Sequence, residues 1–244
     1  MSDNNLIKII EPYVEKLNIP ISRQQLEKLQ QLSDLMLQDP LYSSVSKISE
    51  PEEVAIKHFL DSLIALAVSP DTWKSKNILD LGTGGGFPCL PLAVVLPQSN
   101  FIAVDSRQKS VEFVARMAEK AGIKNVQTRH ARIEDIGRDP AFRERSDLVV
   151  CRALSAVRIL VEYTLPLLKN GGQAFYYKGP KVQEELFEAA NAFSVFGVAS
   201  ADLELLPFLP PEVPYERNFV KIVKRRSVPA AYPRKAGMPA SRPL

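Results

Sequence analysis

The sequence predicts an α/β fold in which a mostly parallel β-sheet is covered by helices on both faces. From Asn77 onwards, apolar runs of strand length alternate with stretches of helical spacing. This alternation is typical of parallel sheets, whose strands are joined by helical crossovers. Gly122, Gly171 and Gly172 stand where helices would end. The predicted strands are 77–81, 101–104, 126–130, 148–151, 173–177 and 219–223, and the clearest helices are 109–121 and 157–168.

Length and composition indicate a globular protein. Of 244 residues, 45% are hydrophobic and 24% charged, which excludes the disordered and fibrous classes. No apolar run approaches the ~18 residues of a membrane span, and the polar start 1–5 does not resemble a signal peptide, so we expect a cytoplasmic protein. Cys89 and Cys151 lie in apolar stretches and predict buried thiols. With only His58 and His130 as histidines, no metal site is expected.

The charges are distributed unevenly along the chain. Residues 1–76 contain 8 Lys and Arg against 11 Asp and Glu, a net charge of −3, whereas residues 211–244 contain 8 against 2, a net charge of +6. A basic terminal segment favours a polyanionic partner, although a segment that only aids solubility is an open alternative. The four prolines within 227–244 predict an extended segment that becomes ordered only against a partner.

The first part of the chain predicts a helical cap. Ser22 and Gln25 form a capping box ahead of leucines at helical spacing. A second capping box is predicted at 49–52, where Pro51 would occupy the first helical turn. The predicted organisation is therefore a helical cap, a ligand-binding domain and a basic tail, with bounds 1–76, 77–224 and 225–244.

Three polar residues of the second predicted helix share one face. His58, Asp61 and Ser62 stand at i, i+3 and i+4, opposite the apolar stripe of the helix. Such a face is either solvated or part of a functional site, and the spacing alone does not decide between the two.

The strongest functional signal is the glycine loop Asp80-Leu81-Gly82-Thr83-Gly84-Gly85-Gly86-Phe87. It follows a predicted strand and precedes a predicted helix. Glycines let the chain turn sharply and bring bare backbone against a ligand. A loop of this kind occurs in both dinucleotide-binding proteins and methyltransferases, so other residues must distinguish the two classes.

Residues around this loop favour S-adenosylmethionine over a dinucleotide. Phe87 and Pro88 occupy the helix opening, where a diphosphate would need room and amide donors, whereas S-adenosylmethionine carries no phosphate. Asp105 ends the next strand and can accept both ribose hydroxyls of either cofactor. The turn 132–135 follows the third strand, which in methyltransferases of this fold lies beside the adenine. Glu134 could alternatively only complement the helix dipole.

The end of the fourth predicted strand limits the reaction type. Cys151-Arg152-Ala153-Leu154 stands where amine methylases carry Asp/Asn-Pro-Pro-Tyr/Phe. We interpret Cys151 as an inert buried thiol, because it lacks the Pro-Cys context of pyrimidine C5 methylases. Arg152 is expected to bind a ligand carboxylate, a phosphate or a base edge. A structural ion pair with Asp80 or Glu134 is the alternative.

Taken together, the motifs resemble the RsmG family, also called glucose-inhibited division protein B. The resemblance covers essentially the whole chain. It departs from the family at 44–46, Ser-Val-Ser in place of the common Asn-Leu-Thr, and at 151–154, where Ser-Arg-Ala-Phe is frequent. The matching motifs are His58-Phe59-Leu60-Asp61-Ser62, residues 80–88, Asp105-Ser106 with Lys109, Arg132-Ile133-Glu134, the 151–154 stretch, Lys178-Gly179 and the tail segment 232–239.

The resemblance implies a Rossmann-like class I methyltransferase with a seven-stranded sheet and an N-terminal helical cap. It implies methylation of a guanine at N7 in the 530 loop of 16S ribosomal RNA, in the small ribosomal subunit, by a monomer. The reaction end would be lined by His58, Asp61, Arg152 and Lys178. The implied S-adenosylmethionine contacts are Gly82, Gly84, Gly86, Phe87, Asp105, Ser106, Arg107, Ile133, Glu134 and Arg152.

Besides an NAD-dependent oxidoreductase, for which only His58 and His130 are candidate histidine proton donors, two other functions remain open at this stage. One is a methyltransferase that acts on a small molecule, for which the basic tail would have no purpose. The other is a non-enzymatic ribosome-binding or assembly factor built on a methyltransferase scaffold. In the RNA methylase interpretation, the cations of the tail would neutralise phosphates. These cations are Arg225, Arg226, Arg234, Lys235 and Arg242.

Overall fold

The computed structural model describes residues 5–73, 76–208 and 216–244. Within them, seven strands form a single sheet: β1 (Asn77–Leu81), β2 (Asn100–Asp105), β3 (Val126–His130), β4 (Ser146–Arg152), β5 (Leu168–Lys178), β6 (Leu203–Phe208) and β7 (Arg217–Val223). The strand order is β3-β2-β1-β4-β5-β7-β6. The pairs β1–β4, β2–β3 and β4–β5 are parallel, and β7 runs antiparallel to β5 and β6. The predicted seven-stranded, mostly parallel sheet is confirmed, although β6 was not among the predicted strands.

Helices connect most of the strands. No helix of the described chain is both long and apolar enough to cross a bilayer. The helices are α1 (Leu6–Lys16), α2 (Arg23–Gln38), α3 (Tyr42–Val45), α4 (Pro51–Val54), α5 (Asp61–Val68), α6 (Cys89–Val95), α7 (Gln108–Lys120), α8 (Ile133–Arg138), α9 (Val157–Thr164), α10 (Val182–Glu188), α11 (Ala190–Phe196) and α12 (Met238–Ser241).

The chain forms two compact units. The first unit comprises residues 1–75 and 83–130, and the second comprises residues 76–82 and 131–244. The division into cap, ligand-binding domain and tail stays a prediction. The polar N-terminus, from which we expected no signal peptide, lies outside the described residues at positions 1–4.

In the first unit, α2 packs on α6 and α7 through apolar and polar contacts. The capping box is confirmed: the Gln25 amide donates to Ser22 Oγ, and the Ser22 amide donates to Gln25 Oε1. The Gln25 side-chain amide also donates to the carbonyls of residues 94 and 95. At the other end of α2, buried Asp39 accepts from Arg116 on α7 at 2.5 Å. Hydrogen bonds at both ends of α2 therefore hold it against α6 and α7.

The second predicted helix differs from its expected form in two ways. Glu50 rather than Ser49 is the residue before its first turn, and no side chain caps that turn, so the predicted capping box is wrong. Between α4 and α5 the helix has π-type hydrogen bonding over Ala55–Leu60, an irregularity often found at functional sites. Asp61 and Ser62 are fully buried, so the alternative of a solvated polar face is wrong.

In the second unit, a glycine pair forms part of β5. The expectation that Gly171 and Gly172 end a helix is wrong, because α9 ends at Thr164 and β5 begins at Leu168. A Cβ atom on Gly172 would lie 2.9–3.2 Å from three backbone carbonyl oxygens. Close backbone approach, rather than helix termination, explains the glycine at this position.

The basic tail packs on the second unit, so the expectation that it orders only against a partner is wrong. Residues 227–241, here called the strap, are bound by arginines of the unit. Arg143 donates to the carbonyls of Val228 and Tyr232 at 3.0 and 2.7 Å. Arg138 Nε donates to the Pro233 carbonyl at 2.8 Å. Carbonyl groups of the strap thus accept hydrogen bonds from guanidinium groups, as buried carbonyls require.

We predict that Gly137→Ala will destabilise the second unit by displacing the strap. A Cβ atom at Gly137 would lie 2.6 Å from Pro233 Cγ, and overpacking of this kind costs about 1–3 kcal/mol. The expected loss exceeds the gain of less than about 1 kcal/mol from replacing a helical glycine by alanine. Urea unfolding would measure the resulting decrease in the free energy of unfolding. Gly179→Ala is the control, since a Cβ there meets nothing within 4 Å; equal stability of the two variants would contradict the packing.

Candidate functional site

The backbone amides of the glycine loop are largely used within the first unit. The Thr83 carbonyl accepts from the amides of Gly86 and Phe87 at 2.8 and 3.2 Å. The Gly86 carbonyl accepts from Leu90, and Pro88 has no amide hydrogen. The opening of α6 therefore lacks the free donors that a diphosphate uses at a helix N-terminus. This geometry supports the sequence argument for a phosphate-free cofactor.

Asp105 fixes the glycine loop from the end of β2. Its Oδ2 accepts from the Gly84 amide at 2.9 Å, and its Oδ1 accepts from the Arg107 amide at 2.8 Å. A carboxylate can accept about four hydrogen bonds, so Asp105 retains capacity for the two ribose hydroxyls. Beside it, the Ser106 carbonyl lies 3.0 Å from His130 Nε2.

His58 lies against the glycine loop. Its ring stacks on Phe87 with centroids 4.4 Å apart and an interplanar angle of 16°, and Phe59 meets Phe87 edge-on at 5.4 Å. Ser46 Oγ lies 3.0 Å from His58 Nε2. The His-Phe-Leu-Asp-Ser motif is thus brought to the loop, and the hydroxyl at position 46 orients its histidine.

The glycine loop also contains an unsatisfied polar group. The Thr83 side chain is 2% exposed, and its Oγ1 has no hydrogen-bond partner among the described residues. A buried hydroxyl without a partner costs free energy, and a polar ligand at the loop would satisfy it. The sequence did not single out Thr83, since threonine is common in such loops.

In the second unit, the turns after β1 and β4 fit together at Gly82. A Cβ atom on Gly82 would lie 2.6 Å from Leu154 Cδ1, and the residue has a φ of +70°. Ala153, just before Leu154, also has a positive φ of 53°. Strained residues of this kind cluster at ligand-binding sites. β1 and β4 flank the point where strand order reverses, where open α/β sheets bind ligands.

Arg152 and Lys178 are brought to neighbouring strand ends. Arg152 ends β4 opposite Tyr177 of β5, and Lys178 follows directly. Lys178 is 9% exposed, and its ammonium pairs with Glu185 Oε2 at 2.5 Å and donates to the Ser155 carbonyl at 2.9 Å. Sequence reasoning missed Glu185, which holds Lys178 in place.

Cys151 has the environment of an inert thiol. It is free and 1% exposed. Burial raises the pKa of the Cys151 thiol well above its usual value, and the charge of Asp80 raises it further. Since the thiolate is the reactive form, the nucleophile interpretation is not supported. Cys89 is likewise free and fully buried, which confirms the prediction of two buried thiols.

Glu134 is held by the strap. The carboxylate is 5% exposed, and its Oε1 accepts from the Gly237 amide at 2.8 Å and faces the Tyr163 hydroxyl at 3.5 Å. Burial and the charge of Glu134 raise the pKa of Tyr163 to about 12, which keeps its hydroxyl protonated. Neighbouring Ile133 begins α8. The sequence did not link Glu134 to a residue about 100 positions later in the chain.

Two of the five tail cations considered for phosphate binding form ion pairs within the chain. Arg234 forms a bidentate pair with buried Glu162, and Arg225 pairs with Asp202. Arg226 lies against Gly197, where a Cβ atom would meet its guanidinium. Arg234 is therefore structural, which corrects the expectation for this residue, whereas Arg225 and Arg226 are exposed. Lys235 and Arg242 are exposed.

The described residues contain no group of three or more His, Cys, Asp or Glu side chains that could hold a metal ion.

Comparison with known proteins places these features in one family. The sequence profile of a family described as rRNA small subunit methyltransferase G matches residues 25–206. A protein named ribosomal RNA small subunit methyltransferase G from Desulfitobacterium hafniense is 39% identical over 230 residues, covering 94% of both chains. A protein of the same name from Desulforamulus reducens is 34% identical over 241 residues, covering 99% of both.

Solved structures support the fold. A SAM-dependent methyltransferase from Aquifex aeolicus aligns with a TM-score of 0.53 at 18% identity, over 75% of this chain and 97% of its own. A putative O-methyltransferase from Klebsiella pneumoniae aligns with a TM-score of 0.57 at 14% identity, over 89% and 96%. At these identities the likeness concerns the fold alone.

We predict that neither native thiol reacts with an aromatic disulfide reagent until the protein unfolds. Both sulfur atoms are buried, and burial disfavours the thiolate at Cys151. Absorbance would follow the release of the reagent's thiol in buffer and in urea. Ser43→Cys serves as control, since Ser43 is exposed and the new thiol should react at once. Rapid reaction of one thiol in the unchanged protein would refute the prediction.

Proposed function

Because the chain belongs to the rRNA small subunit methyltransferase G family, we propose that it transfers a methyl group from S-adenosylmethionine to N7 of a guanine in the 530 loop of 16S ribosomal RNA. The observation that carries this proposal is identity of 33–39% to eight proteins of that name. The use of S-adenosylmethionine follows from the family, and the nucleotide follows from the resemblance of its motifs.

The residues of the glycine loop and its surroundings fit this cofactor. Asp105 has acceptor capacity for the ribose hydroxyls, and the opening of α6 offers no diphosphate site. We infer that Glu134 accepts from the adenine amine and that Arg152 binds the carboxylate of the methionine part. The positive φ angles of Gly82, Gly84 and Gly86 let the loop follow the ligand closely; Phe87, Ser106, Arg107 and Ile133 complete the inferred cofactor contacts.

Guanine N7 is an acceptor that suits the chemistry of the site. When bound, S-adenosylmethionine supplies an electrophilic methyl group, and N7 carries a free lone pair at neutral pH. The protein therefore needs no general base and no nucleophile, and its task is to orient the reactants. The neutral, buried thiol of Cys151 agrees with a reaction that uses no covalent intermediate.

The side chains inferred at the reaction end act by position and charge. Lys178 pairs with Glu185 and donates to the Ser155 carbonyl, and we infer that its ammonium group contacts guanine O6 or a phosphate. His58 is fixed by Ser46 and Phe87. Asp61 is buried at the start of α5. A guanine in a folded loop must leave its stack to reach these groups.

The RNA contacts of the tail are limited to its exposed cations. Arg226, Lys235 and Arg242 are exposed candidates for phosphate contacts, and Arg225 is also exposed although it pairs with Asp202, whereas Arg234 is committed to buried Glu162. We further propose that the protein acts as a monomer in the cytoplasm; light scattering during size-exclusion chromatography would test the first part, and cell fractionation the second.

The function is tested by methyl transfer from labelled S-adenosylmethionine to three acceptors. These are undermethylated 30S subunits, naked 16S RNA and free nucleosides, and the product is mapped by the strand scission that N7-methylguanine permits. A single N7-methylguanine in the 530 loop supports the proposal. Label elsewhere in RNA refutes the target, and label in nucleosides alone indicates a small-molecule methyltransferase. No label despite cofactor binding indicates an assembly factor.

We predict that Asp105→Asn lowers the affinity for S-adenosylmethionine by about tenfold or more. The substitution replaces a charged acceptor of the ribose hydroxyls by a neutral one, and hydrogen bonds to charged groups contribute about 1.5–3 kcal/mol. Titration calorimetry would measure the Kd, and kcat at saturating cofactor should change much less, because the ribose lies away from the methyl group. Asp71→Asn is a control on the exposed surface of the first unit. Unchanged affinity in Asp105→Asn would refute the assigned role.

A further inference from the structure

The strap binds the residue inferred to recognise the adenine. Gly237 donates its amide hydrogen to Glu134 Oε1 at 2.8 Å. The other carboxylate oxygen, Oε2, has no hydrogen bond among the described residues. A hydrogen bond from a backbone amide fixes the rotation of a carboxylate more firmly than one from a mobile side chain. The contact at Tyr163 is longer, at 3.5 Å, and is a weak bond at best. The strap therefore provides the main constraint on Glu134.

Arg234 anchors the strap at a single buried point. Its backbone amide donates to Glu162 Oε1 at 2.7 Å, and its guanidinium donates to both carboxylate oxygens at 2.6–3.1 Å. Glu162 is 1% exposed, so little water competes for this pair. Bidentate pairing fixes direction as well as distance. Gly237 follows Arg234 by three residues, so the anchor determines where the Gly237 amide points.

Other contacts position the strap on α8, the helix that carries Glu134. Pro233 occupies the space beside Gly137, and Arg138 donates to the Pro233 carbonyl. Tyr232 packs on Phe196 with ring centroids 5.0 Å apart. The strap thus contacts α8 at three of its six residues, Glu134, Gly137 and Arg138. A segment that only shielded apolar surface would not need this succession of directional bonds.

We propose that the strap is a positioning element for the cofactor: anchored by Arg234, it holds Glu134 Oε1 through the Gly237 amide and so directs Oε2 towards the 6-amino group of the adenine. Arg234 and Gly237 are positioning residues and do not touch the cofactor. This inference rests on the proposed function, since it takes Glu134 to bind adenine. It replaces the phosphate-binding role that the sequence indicated for Arg234.

The test measures recognition of the amino group rather than overall affinity. The Kd of S-adenosylhomocysteine is compared with that of its 6-deaminated purine analogue by calorimetry on the full chain. Loss of a hydrogen bond to a charged acceptor corresponds to about tenfold or more, so the unchanged protein should prefer the adenine compound by this ratio. In Arg234→Ala the ratio should fall to about twofold, and Arg234→Lys should restore it in part.

Two further variants separate positioning from stability. Arg242→Ala removes a charge from an exposed residue near the strap and should keep the full ratio. Arg234→Ala leaves Glu162 buried without its partner and could prevent folding. The double variant Glu162→Gln/Arg234→Met removes both charges, and it should fold and show the same lowered ratio. General destabilisation would weaken both ligands equally and leave the ratio unchanged.

The outcomes distinguish a failure of the inference from a failure of the proposed function. If the unchanged protein discriminates and the folded Arg234 variants discriminate equally well, the strap does not position Glu134 and the inference is overturned, while the function stands. If the unchanged protein binds both compounds with equal affinity, Glu134 does not recognise the amine, and the inference is again overturned. If it binds neither compound, the proposed function itself fails.

Discussion

The local structure of the glycine loop depends on the carboxylate of Asp105. One of its oxygens binds the Gly84 amide and the other binds the Arg107 amide, so a side chain at the end of β2 fixes the loop that follows β1 as well as the loop that follows β2. The Thr83 carbonyl then collects the amides of Gly86 and Phe87. Because these backbone amides already donate within the protein, the loop offers a ligand mainly acceptor groups and close backbone contact. Such a surface suits a ligand without phosphate.

Specific donors also hold three carboxylates of the second unit, two of which, Glu134 and Glu162, are buried. Glu185 holds Lys178, Glu162 holds Arg234, and Glu134 accepts from Gly237. Burying a charge without a partner costs free energy. Each of these contacts supplies a partner and also fixes the direction of a side chain. Two of these contacts join residues that are distant in sequence, Arg234 with Glu162 and Gly237 with Glu134, and both attach the strap to the rest of the unit.

Sequence periodicity was sufficient to predict most strands of the sheet but did not predict the edge strand β6. β1 has its predicted bounds because its apolar run ends at Gly82, and β3 also has its predicted bounds, although only Val126 in it is apolar. β6 was missed because no residue in it is buried, and Pro207 interrupts its pattern. The glycine pair in β5 was misread as a helix end, because its true cause, close carbonyls of neighbouring segments, is tertiary. Ser49 was taken for a cap although the backbone begins the helix one residue later.

The candidate site was predictable where chemistry is local and unpredictable where it depends on distant contacts. The glycine spacing, Asp105 and the His58 motif follow from short stretches of chain. Glu185 and the Gly237 amide carry no local signal, because their partners come from other elements of the fold. Arg234 illustrates the limit best: the sequence shows a cation in a basic tail, and only the fold reveals buried Glu162 beneath it.

The edge strand β6 also affects how the protein behaves at high concentration. An exposed strand edge offers unpaired backbone groups to any neighbouring chain, and proteins limit such pairing with proline and charge. Pro207 lacks an amide hydrogen, and Glu204 adds a half-exposed carboxylate that pairs with Lys221. A second molecule therefore finds no uninterrupted ladder to extend. Proline and charge thus limit pairing at this edge of the sheet, in the one strand that the apolar pattern failed to reveal.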